Sequence, residues 1–373
     1  MIPGATMKYI LQIFTGPWRG AHSAAEEIIR KIESVSARIP VGSVIIGWNT
    51  DASLYQEVGA FLHSAGIRML LWLPVFSEIS GITEPETAVD LFGDPIVAPI
   101  HQEGEDFLFC CPSSPRNLQA VKTIYETYFG GCSFDGVFLD KIRSQSFVAG
   151  VSGVLSCGCP RCRRIYQQKG LDPELITERY QKQKDAFFDM ARYPTDGAFQ
   201  LKDPLAQQFF TAKEEIITDA VADLNRYFKS KDMIVGLDLF APVISRFVGQ
   251  SYTKLAQYAD FIKPMLYRKT TAPAGIGYEY ALFESSAPAA QGRVEFSMDE
   301  TFLSTQLEAI QRVPCAKYPG IEINYRADIA KTDPAYIKGS LTAIRDQGFD
   351  GAALCWNILL APDPHIEAVS QVL

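Results

Sequence analysis

Three acidic residues end or interrupt apolar segments of the sequence, and carboxyl groups in such positions are suited to acid–base chemistry. Asp140 ends FDGVFLD at residues 134–140, Asp238 lies in GLDLFAP, and Glu322 lies in GIEINY. A carboxylate in an apolar strand is costly unless it is paired or functional. Hydrolysis of a glycosidic bond needs two carboxyl groups, because one protonates the leaving oxygen and the other acts as nucleophile or activates water. These three residues are therefore candidate catalytic groups.

The elements that must position these residues are eight short apolar segments, which we predict to be parallel β-strands covered on both faces. The predicted strands are residues 9–16, 43–49, 68–76, 134–140, 233–242, 259–268, 318–325 and 351–358. Helical patterns separate them, at residues 23–38, 53–65, 114–128, 160–191 with 206–227, 252–258, 300–311, 334–347 and from 363 onward. Eight strands that alternate with helices predict an α/β fold, the (β/α)₈ TIM barrel.

The chain length leaves room for long loops at one face of this barrel. The sequence has 373 residues, whereas a barrel core needs about 250. No linker, charge block or repeat interrupts the pattern, so residues 1–373 are predicted to form a single domain. The surplus lies after strands three, four and six, at residues 77–112, 144–227 and 269–298. We therefore expect long βα loops and a helical insertion after strand four.

Strands four and seven lie across the barrel mouth from each other, which makes Asp140 and Glu322 the predicted catalytic pair. Glu322 shares a face of its strand with Asn324, because side chains alternate along a strand. Asp238 is then a sugar-hydroxyl acceptor, or the acid if Glu322 proves structural. The alternative for each carboxylate is an ion pair with a nearby Lys or Arg.

Aromatic and polar residues around the same strand ends are typical of a carbohydrate site. All four tryptophans fall in or just after predicted strands one, two, three and eight: Trp18, Trp48, Trp72 and Trp356. Sugar rings stack on such aromatic faces while their hydroxyls need fixed polar partners, although core packing is the alternative role for each tryptophan. The candidate polar partners are Asn49, Lys141, Arg143, Lys263, Tyr267, Arg268 and Asn324. The four basic residues among them make an anionic sugar a plausible substrate.

A cluster of cysteines indicates a metal site. Cys157, Cys159 and Cys162 form C-x-C-x-x-C, whose Gly158 and Pro160 let the backbone turn around one ion. Structural zinc takes four ligands, and the fourth is either Cys110 or Cys111 in the loop after strand three. This would join two long loops. The alternatives are three unrelated thiols or an iron–sulfur cluster.

Short motifs resemble those of known glycosidase families. The cysteine pattern resembles the structural zinc site of the barrel β-galactosidases of glycoside hydrolase family 42. FDGVFLD is similar to strand four of the polygalactosaminidase-like group and of the chitinase-like family 18, whose pattern is D-G-x-D-x-D-x-E. Asp135, Gly136 and Asp140 match that pattern, whereas Phe138 and Ile142 replace its middle Asp and catalytic Glu. The resemblance implies a glycosidase barrel without the chitinase acid.

Two further resemblances concern strands six to eight. Met265–Tyr267 and Trp356 resemble residues that line the sugar site of chitinase-like barrels. The placement of Asp140 and Glu322 resembles the acid/base and nucleophile positions of the large retaining glycosidase clan. In that clan both residues are Glu and the first usually follows Asn, whereas here Asp140 follows Leu139. The predicted function is a glycoside hydrolase of unassigned specificity.

Two alternative functions use the same barrel. Lys263 in FIKPMLYR lies on strand six, where some aldolases of this fold carry a Schiff-base lysine. Against that reading, the sequence has no Gly-rich phosphate-binding segment near strands seven and eight. The other alternative is a catalytically inactive barrel that binds carbohydrate. No motif for an organic cofactor is present, so zinc is the only expected cofactor.

Charge and hydropathy restrict the partners. The formal net charge is −8 and the pI is about 5.2, which argues against nucleic acid or an anionic membrane as a partner. No apolar stretch reaches the roughly 18 residues of a membrane span, and no secretory signal is evident. A cytoplasmic protein with a carbohydrate substrate is expected. Loops crowded at one face often meet a neighbouring subunit, so a homo-oligomer remains an open prediction.

Overall fold

A computed structural model describes residues 7–97, 105–192, 200–287, 296–349 and 351–372. The strands are β1 (Lys8–Phe14), β2 (Val41–Gly47), β3 (Arg68–Pro74), β4 (Gly136–Asp140), β5 (Met190–Arg192), β6 (Gln200–Leu201), β7 (Ile234–Phe240), β8 (Phe261–Met265), β9 (Ala316–Lys317), β10 (Gly320–Glu322) and β11 (Gly351–Cys355). All but β5 and β6 form one parallel sheet, in the order β1, β2, β3, β4, β7, β8, then β9 and β10, then β11, which pairs with β1. The sheet therefore closes, and the predicted (β/α)₈ barrel is confirmed.

The seventh barrel strand is shorter than predicted. Residues 318–325 were expected to form it, but it consists of β9 and β10, separated by Tyr318 and Pro319. Pro319 has no N–H for a ladder hydrogen bond, so one donor is missing at the point where the two short strands are separated. β10 still pairs with β8 through Gly320 and Met265 and with β11 through three residues. Glu322 is the last residue of this strand.

The helices are α1 (Ala25–Ser36), α2 (Ala52–Ser64), α3 (Pro115–Ile124), α4 (Gly150–Val154), α5 (Pro160–Gln168), α6 (Pro173–Lys182), α7 (Lys184–Phe187), α8 (Pro204–Lys229), α9 (Pro242–Ser245), α10 (Tyr252–Leu255), α11 (Ile276–Ser286), α12 (Glu300–Gln311), α13 (Pro334–Asp346) and α14 (Asp363–Ser370). Asp and Ser side chains cap several N-termini, as Asp51 does for α2 and Ser114 for α3. No helix in the described residues is long and apolar enough to cross a membrane.

The insertion after β4 differs in detail from the prediction. A continuous helix was expected over 160–191, but α5 ends near Gly170, whose φ is +76°, and α6 begins at Pro173. Both residues interrupt a helix, because the left-handed conformation and the missing proline N–H break the hydrogen-bond ladder. The segment 269–298 contains a helix, α11, that was not predicted. Residues 98–104, 193–199 and 288–295 of the three insertions lie outside the described residues.

Candidate active site

Two adjoining cavities open at the C-terminal ends of the barrel strands. The inner cavity has a volume of about 110 Å³ and is lined by groups that include Glu105, Asp140, Arg143, Asp238, Tyr267 and Trp356. The outer groove has a volume of about 900 Å³ and is lined by groups that include Phe14, His22, Trp48, Arg326, Asp328 and Asn357. Trp72, Glu105, Ile329 and Trp356 line both spaces. The two cavities therefore form one continuous cleft at the catalytic face of the fold.

Asp140 lies at the inner cavity because β4 ends there. Its Oδ2 accepts a hydrogen bond from Trp72 Nε1 at 2.8 Å, and its Oδ1 accepts one from the backbone N–H of Lys141 at 2.5 Å. Trp72 is on β3, whose register places it beside Phe138 of β4. Two donors from neighbouring elements thus fix the orientation of a carboxylate that faces the cavity.

Asp238 stands next to Asp140 on the neighbouring strand. Leu139 pairs with Leu237, so the two aspartates that follow occupy adjacent positions about 4.8 Å apart at the Cα atoms, with side chains on the same face. Asp238 Oδ2 accepts from Lys263 Nζ at 2.9 Å, while its buried Oδ1 has no hydrogen-bond partner within the described chain. Burial raises the pKa of Asp238 to about 7; the charge of Lys263 opposes this increase, and the charge of Asp140 adds to it.

Lys263 is enclosed beneath the cavity and is not among its described lining residues. Its Nζ donates to Asp238 Oδ2, to Gln12 Oε1 at 3.0 Å and to Tyr267 Oη at 3.0 Å, which satisfies all three ammonium donors. Burial alone would lower its pKa, but Asp238 and other nearby groups raise it above the usual value. Lys263 is therefore held as a cation.

Lys141 joins two carboxylates from the loop after β3. Its Nζ lies 2.7 Å from Glu78 Oε1 and 2.6 Å from Glu105 Oε2. Glu78 is 3% exposed and also accepts from the backbone N–H groups of Asp106 and Phe107. The Glu105 side chain is 27% exposed. Two acids that share one cation in different surroundings are expected to differ in proton affinity.

The pKa values of these two acids are displaced in opposite directions. Burial raises the pKa of Glu105, and the charges of Glu78 and Asp140 add to that effect against the attraction of Lys141. Burial would also raise the pKa of Glu78, but Lys141 and the hydrogen-bond donors around that carboxylate lower it below the usual value. Glu78 thus keeps its charge, and Glu105 holds a proton more readily.

Arg143 forms part of the wall of the inner cavity. Its guanidinium lies 4.6 Å from the ring centre of Phe109 and 4.4 Å from that of Phe240, and Nη1 donates to the carbonyl of Ser144 at 3.0 Å. Burial lowers its pKa, although Glu279 and Asp140 oppose that effect. The aromatic contacts hold the planar cation in one orientation at the cavity.

Glu322 is buried behind the wall of the inner cavity, where it accepts from the lining residue Thr270. Its Oε1 accepts from the backbone N–H groups of Lys269 at 2.6 Å and Thr270 at 3.1 Å, and its Oε2 accepts from Tyr336 Oη at 2.6 Å. It has no solvent exposure and is not among the described lining residues. Burial raises its pKa. The geometry joins Glu322 to the loop after β8 and to α13, and does not bring it to Asp140.

The other predicted binding residues fall into two groups. Trp48, Trp72, Lys141, Arg143, Tyr267 and Trp356 line the cleft. Trp18, Asn49, Lys263, Arg268 and Asn324 are buried around it without being among the described lining residues. For example, Asn49 donates to the carbonyl of Pro17 in the loop after β1 and accepts from the N–H of Asp51 in its own loop, and Arg268 donates to Ser340. Four of these five side chains contact loop segments, whereas Lys263 contacts three residues that line the inner cavity.

The cleft also contains residues that the sequence reasoning missed. Glu105 lines both cavities, and Gln12, Phe107 and Phe240 line the inner one. Lys141, Phe107 and Ala274 each have a positive φ, of 52°, 49° and 71°, which is costly for residues with a side chain and concentrates at functional sites. Glu105 lies in the acidic run EGED at the end of the long insertion after β3. This acidic run, in a loop expected at the catalytic face, is the sequence feature from which Glu105 could have been predicted.

Four of the five predicted cysteine ligands come together. The sulfurs of Cys111, Cys157, Cys159 and Cys162 all lie within 4.8 Å of one another, and they form a set that can hold a metal ion. Cys111 Sγ is 3.5 Å from Cys159 Sγ and 3.6 Å from Cys162 Sγ, close to the roughly 3.8 Å between thiolates in a tetrahedral site with 2.3 Å bonds. Cys110 lies outside this cluster, so the fourth position belongs to Cys111.

Comparisons with known proteins identify the fold. No protein-family model matches the chain, and no curated protein sequence matches it. The solved glycoside hydrolase domain of PgaB (BpsB) from Bordetella bronchiseptica is similar in structure, with a TM-score of 0.64, 17% sequence identity, and 98% coverage of both chains. At this identity the similarity shows the shared fold alone.

Two other solved structures have the same fold. Alpha-L-fucosidase isoenzyme 2 from Paenibacillus thiaminolyticus has a TM-score of 0.57 and 12% identity, covering 98% of this chain and 48% of that one. A class V chitinase from Pseudomonas fluorescens Pf-5 has a TM-score of 0.52 and 10% identity, covering 98% of this chain and 99% of that one. The structural neighbours are thus glycoside hydrolase and chitinase-like TIM-barrel proteins.

Proposed function

We propose that the protein is a glycoside hydrolase whose reaction takes place in the inner cavity. The observation that carries this proposal is the meeting of three carboxyl groups, Asp140, Asp238 and Glu105, in one cavity that Tyr267 and Trp356 also line. Carboxyl groups and aromatic faces are what glycoside cleavage and sugar binding require. The fold shared with glycoside hydrolases supports the same reaction class.

Asp140 is the carboxylate that acts at the anomeric carbon in this proposal. The hydrogen bonds from Trp72 and from the Lys141 N–H orient it and stabilise its charge. It can then act as nucleophile or accept the proton of an attacking water. Asp238, with its unpartnered Oδ1 beside Asp140, would bind a polar substituent of the same sugar.

The reaction also needs a proton donor for the leaving oxygen. A donor must be protonated at working pH, which requires a raised pKa in a carboxyl group. Asp238 and Glu105 both have a raised pKa. Glu322 does not take part in the proposed mechanism, because its oxygens already accept hydrogen bonds from Lys269, Thr270 and Tyr336.

The two alternative functions have less support. A Schiff-base lysine must lose its proton to attack a carbonyl, whereas Lys263 has a raised pKa and donates to three acceptors. A barrel that only binds sugar would need none of the carboxyl chemistry gathered around Asp140. The experiment below distinguishes the inactive barrel from the glycosidase.

That experiment measures hydrolysis of a panel of neutral and anionic nitrophenyl glycosides by the wild type and by Asp140→Asn. Turnover of at least one glycoside is expected, and the variant should lose at least about 10³-fold of it, because the reacting carboxylate is replaced by a neutral amide. Undiminished turnover by Asp140→Asn would exclude the proposed site. Binding of a sugar without turnover would favour the inactive barrel.

We also propose that the four-cysteine cluster holds zinc in a structural role. Four sulfur ligands are typical of a closed zinc site with no open position for a substrate. Cys111 follows β3 in the chain, whereas Cys157, Cys159 and Cys162 belong to the insertion after β4. Zinc bound there would join two loops of the catalytic face, and it would supply stability and no reaction step.

Metal content and thermal stability test this assignment. Cys111→Ser should reduce bound zinc from about one per chain to a small fraction and should lower Tm, because binding free energy is lost from the folded state. Cys110→Ser is the matched control, since Cys110 is adjacent in sequence but outside the cluster. Equal zinc content in both variants, or no zinc in the wild type after growth with zinc, would contradict the proposal. Cytoplasmic location and a homo-oligomer stay predictions.

A further inference from the structure

We propose that Glu105 donates the proton to the glycosidic oxygen, at the junction of two sugar subsites, and that the substrate is therefore an oligosaccharide. The inner cavity would hold the sugar whose anomeric carbon reacts, and the outer groove would hold the leaving sugar. This inference rests on the proposed glycosidase function and specifies its acid and its substrate class.

The position of Glu105 is the first step of the argument. Among the described acidic residues, Glu105 alone lines both the inner cavity and the outer groove. A bond that links one sugar in the cavity to another in the groove must pass the residues common to both spaces. Of those four residues, Trp72, Glu105, Ile329 and Trp356, only Glu105 carries a carboxyl group. A donor has to reach the glycosidic oxygen within hydrogen-bond distance.

Access distinguishes Glu105 from Asp238. The Glu105 side chain is 27% exposed, so its carboxyl group can meet a ligand. Asp238 is buried, its Oδ2 is bonded to Lys263, and its Oδ1 has almost no accessible surface. Glu105 is therefore better placed than Asp238 to meet the glycosidic oxygen and transfer a proton across the junction.

The partners of Lys141 explain why Glu105 binds a proton more readily than Glu78 does. One ammonium group serves both Glu78 and Glu105. Glu78 also accepts from two backbone N–H groups and from Ser77 Oγ, which stabilises its charge. Asp140 adds a further negative charge near Glu105 and helps to raise its pKa. Of the two acids that form ion pairs with Lys141, Glu105 is thus the one that binds a proton more readily.

The step balances in atoms and electrons. Protonated Glu105 gives its proton to the glycosidic oxygen as the bond to the anomeric carbon breaks, and the bonding electron pair stays with that oxygen. A water molecule supplies the hydroxyl group that the anomeric carbon gains. The other proton of that water goes to a carboxylate of the site and restores the starting proton count. One glycoside and one water thus yield two sugar hydroxyl groups.

The outer groove has the composition of a sugar subsite. Trp356 is partly exposed and lines both spaces, so it offers an aromatic face that continues from one subsite to the next. Trp48 lines the groove, and its buried Nε1 has no partner within the described chain. Asn357 and Asp328 add polar groups at the same surface. An aromatic face with spare donors and acceptors suits the hydroxyl-bearing ring of a leaving sugar.

The test compares substrates that differ in how much their leaving group needs a proton. Glu105→Gln and wild type are assayed with the 2,4-dinitrophenyl and the phenyl glycoside of each sugar in a panel, and with an oligosaccharide of any sugar that reacts. Dinitrophenolate leaves without protonation, so its kcat/KM should change by less than about 5-fold. The phenyl glycoside and the oligosaccharide should lose about 10²-fold or more, which is the usual contribution of general acid catalysis.

Matched variants separate the role of Glu105 as a donor from its ion pair. Glu78→Gln removes the other charged partner of Lys141, and Glu78 itself is not among the described lining residues. Because Glu105 is retained, any loss of kcat/KM should be the same factor for both leaving groups. The alkaline pH limit of this variant should fall, because Glu105 then has Lys141 to itself. Glu84→Gln removes a charge from the same insertion at a side chain that is 97% exposed, and it should behave as the wild type.

The outcomes distinguish this inference from the proposed function. Equal loss for both leaving groups in Glu105→Gln, or no loss for either, overturns the assignment of Glu105 while leaving glycosidase activity intact. Asp140→Asn should lower kcat/KM by a similar factor for both leaving groups, because Asp140 acts at the anomeric carbon. If the wild type turns over no glycoside in the panel, the proposed function fails and the assignment of Glu105 fails with it.

Discussion

Two strand-end carboxylates, Asp140 on β4 and Glu322 on β10, occupy similar places in the sequence pattern and very different places in the molecule. Asp140 accepts from Trp72 and from its neighbouring backbone N–H and also lines the inner cavity. Glu322 accepts from two backbone N–H groups and from Tyr336, and has no solvent exposure. Asp140 thus faces a cavity, and Glu322 connects the loop after β8 to α13.

The difference shows that position at the end of a barrel strand does not by itself make a carboxylate catalytic. A reacting carboxylate must be accessible to substrate and able to accept a new hydrogen bond. A structural carboxylate already accepts hydrogen bonds from donors of the protein. Asp140, Asp238 and Glu105 line a cavity, and Glu322 does not. We therefore place the reaction at Asp140 and assign Glu322 a structural role in stabilising the loop after β8.

The largest expected effect on stability follows from removing the hydrogen bonds of Glu322. Glu322→Leu should lower the free energy of unfolding by about 3 kcal/mol or more, because it strands the N–H groups of Lys269 and Thr270 and the Tyr336 hydroxyl. Glu322→Gln keeps an acceptor for the two N–H groups and should cost about 1 kcal/mol. Chemical denaturation of the two variants and the wild type measures this difference. If Glu322→Leu were as stable as the wild type, the structural role assigned to Glu322 would be wrong.

A smaller effect should appear in catalysis when the orientation of Asp140 is disturbed. Trp72→Phe removes the Nε1 donor of Asp140, and turnover should fall about 30-fold with little change in Tm, because the loss of a buried hydrogen bond to a charged acceptor costs about 2 kcal/mol. Trp18→Phe is the control, since Trp18 Nε1 donates to the carbonyl of Glu78 and not to Asp140. Steady-state kinetics on the reactive glycoside compare them, and equal losses would contradict a specific role for Trp72.

The smallest effect concerns the pH dependence of stability. Asp238 has a pKa raised to about 7 from a usual value of 3.8, so the folded protein binds this proton more tightly than the unfolded chain. The stability contributed by that proton is fully present below about pH 4 and is lost as pH rises towards 7. Asp238→Asn should remove this loss. Its Tm should therefore gain a few degrees on the wild type between pH 4 and 7, and parallel Tm profiles would show that Asp238 is ionised.

Much of the fold could be predicted because its signals are local. The apolar run before Asp140 predicted β4, and the alternation of eight such runs with helices predicted the barrel. Pro319 and Gly170 explain the two places where predicted elements break. The unpredicted helix α11 lies in a segment whose role as a loop was inferred from the strand count alone. The strand pattern is a local property, whereas the course of a long insertion depends on packing.

The site could be predicted only in part, because the tertiary structure decides whether a carboxylate is already hydrogen-bonded by the protein or is free to contact a substrate. The sequence indicated Asp140 and Asp238, but the partners that occupy Glu322 come from residues 269, 270 and 336. Glu105 was missed because its meeting with Lys141 joins positions 36 residues apart. The choice of Cys111 over Cys110 also required coordinates, since adjacent side chains in one loop point in different directions.

The most direct test of the central claim compares Asp140→Asn with Glu322→Gln on one reactive glycoside, with kcat/KM corrected for the folded fraction of each protein. The account predicts a loss of at least about 10³-fold for Asp140→Asn and a change of less than about 5-fold for Glu322→Gln. A comparable loss in both variants would return Glu322 to the catalytic pair. Loss in Glu322→Gln alone would move the reaction to the opposite side of the barrel mouth and contradict the account.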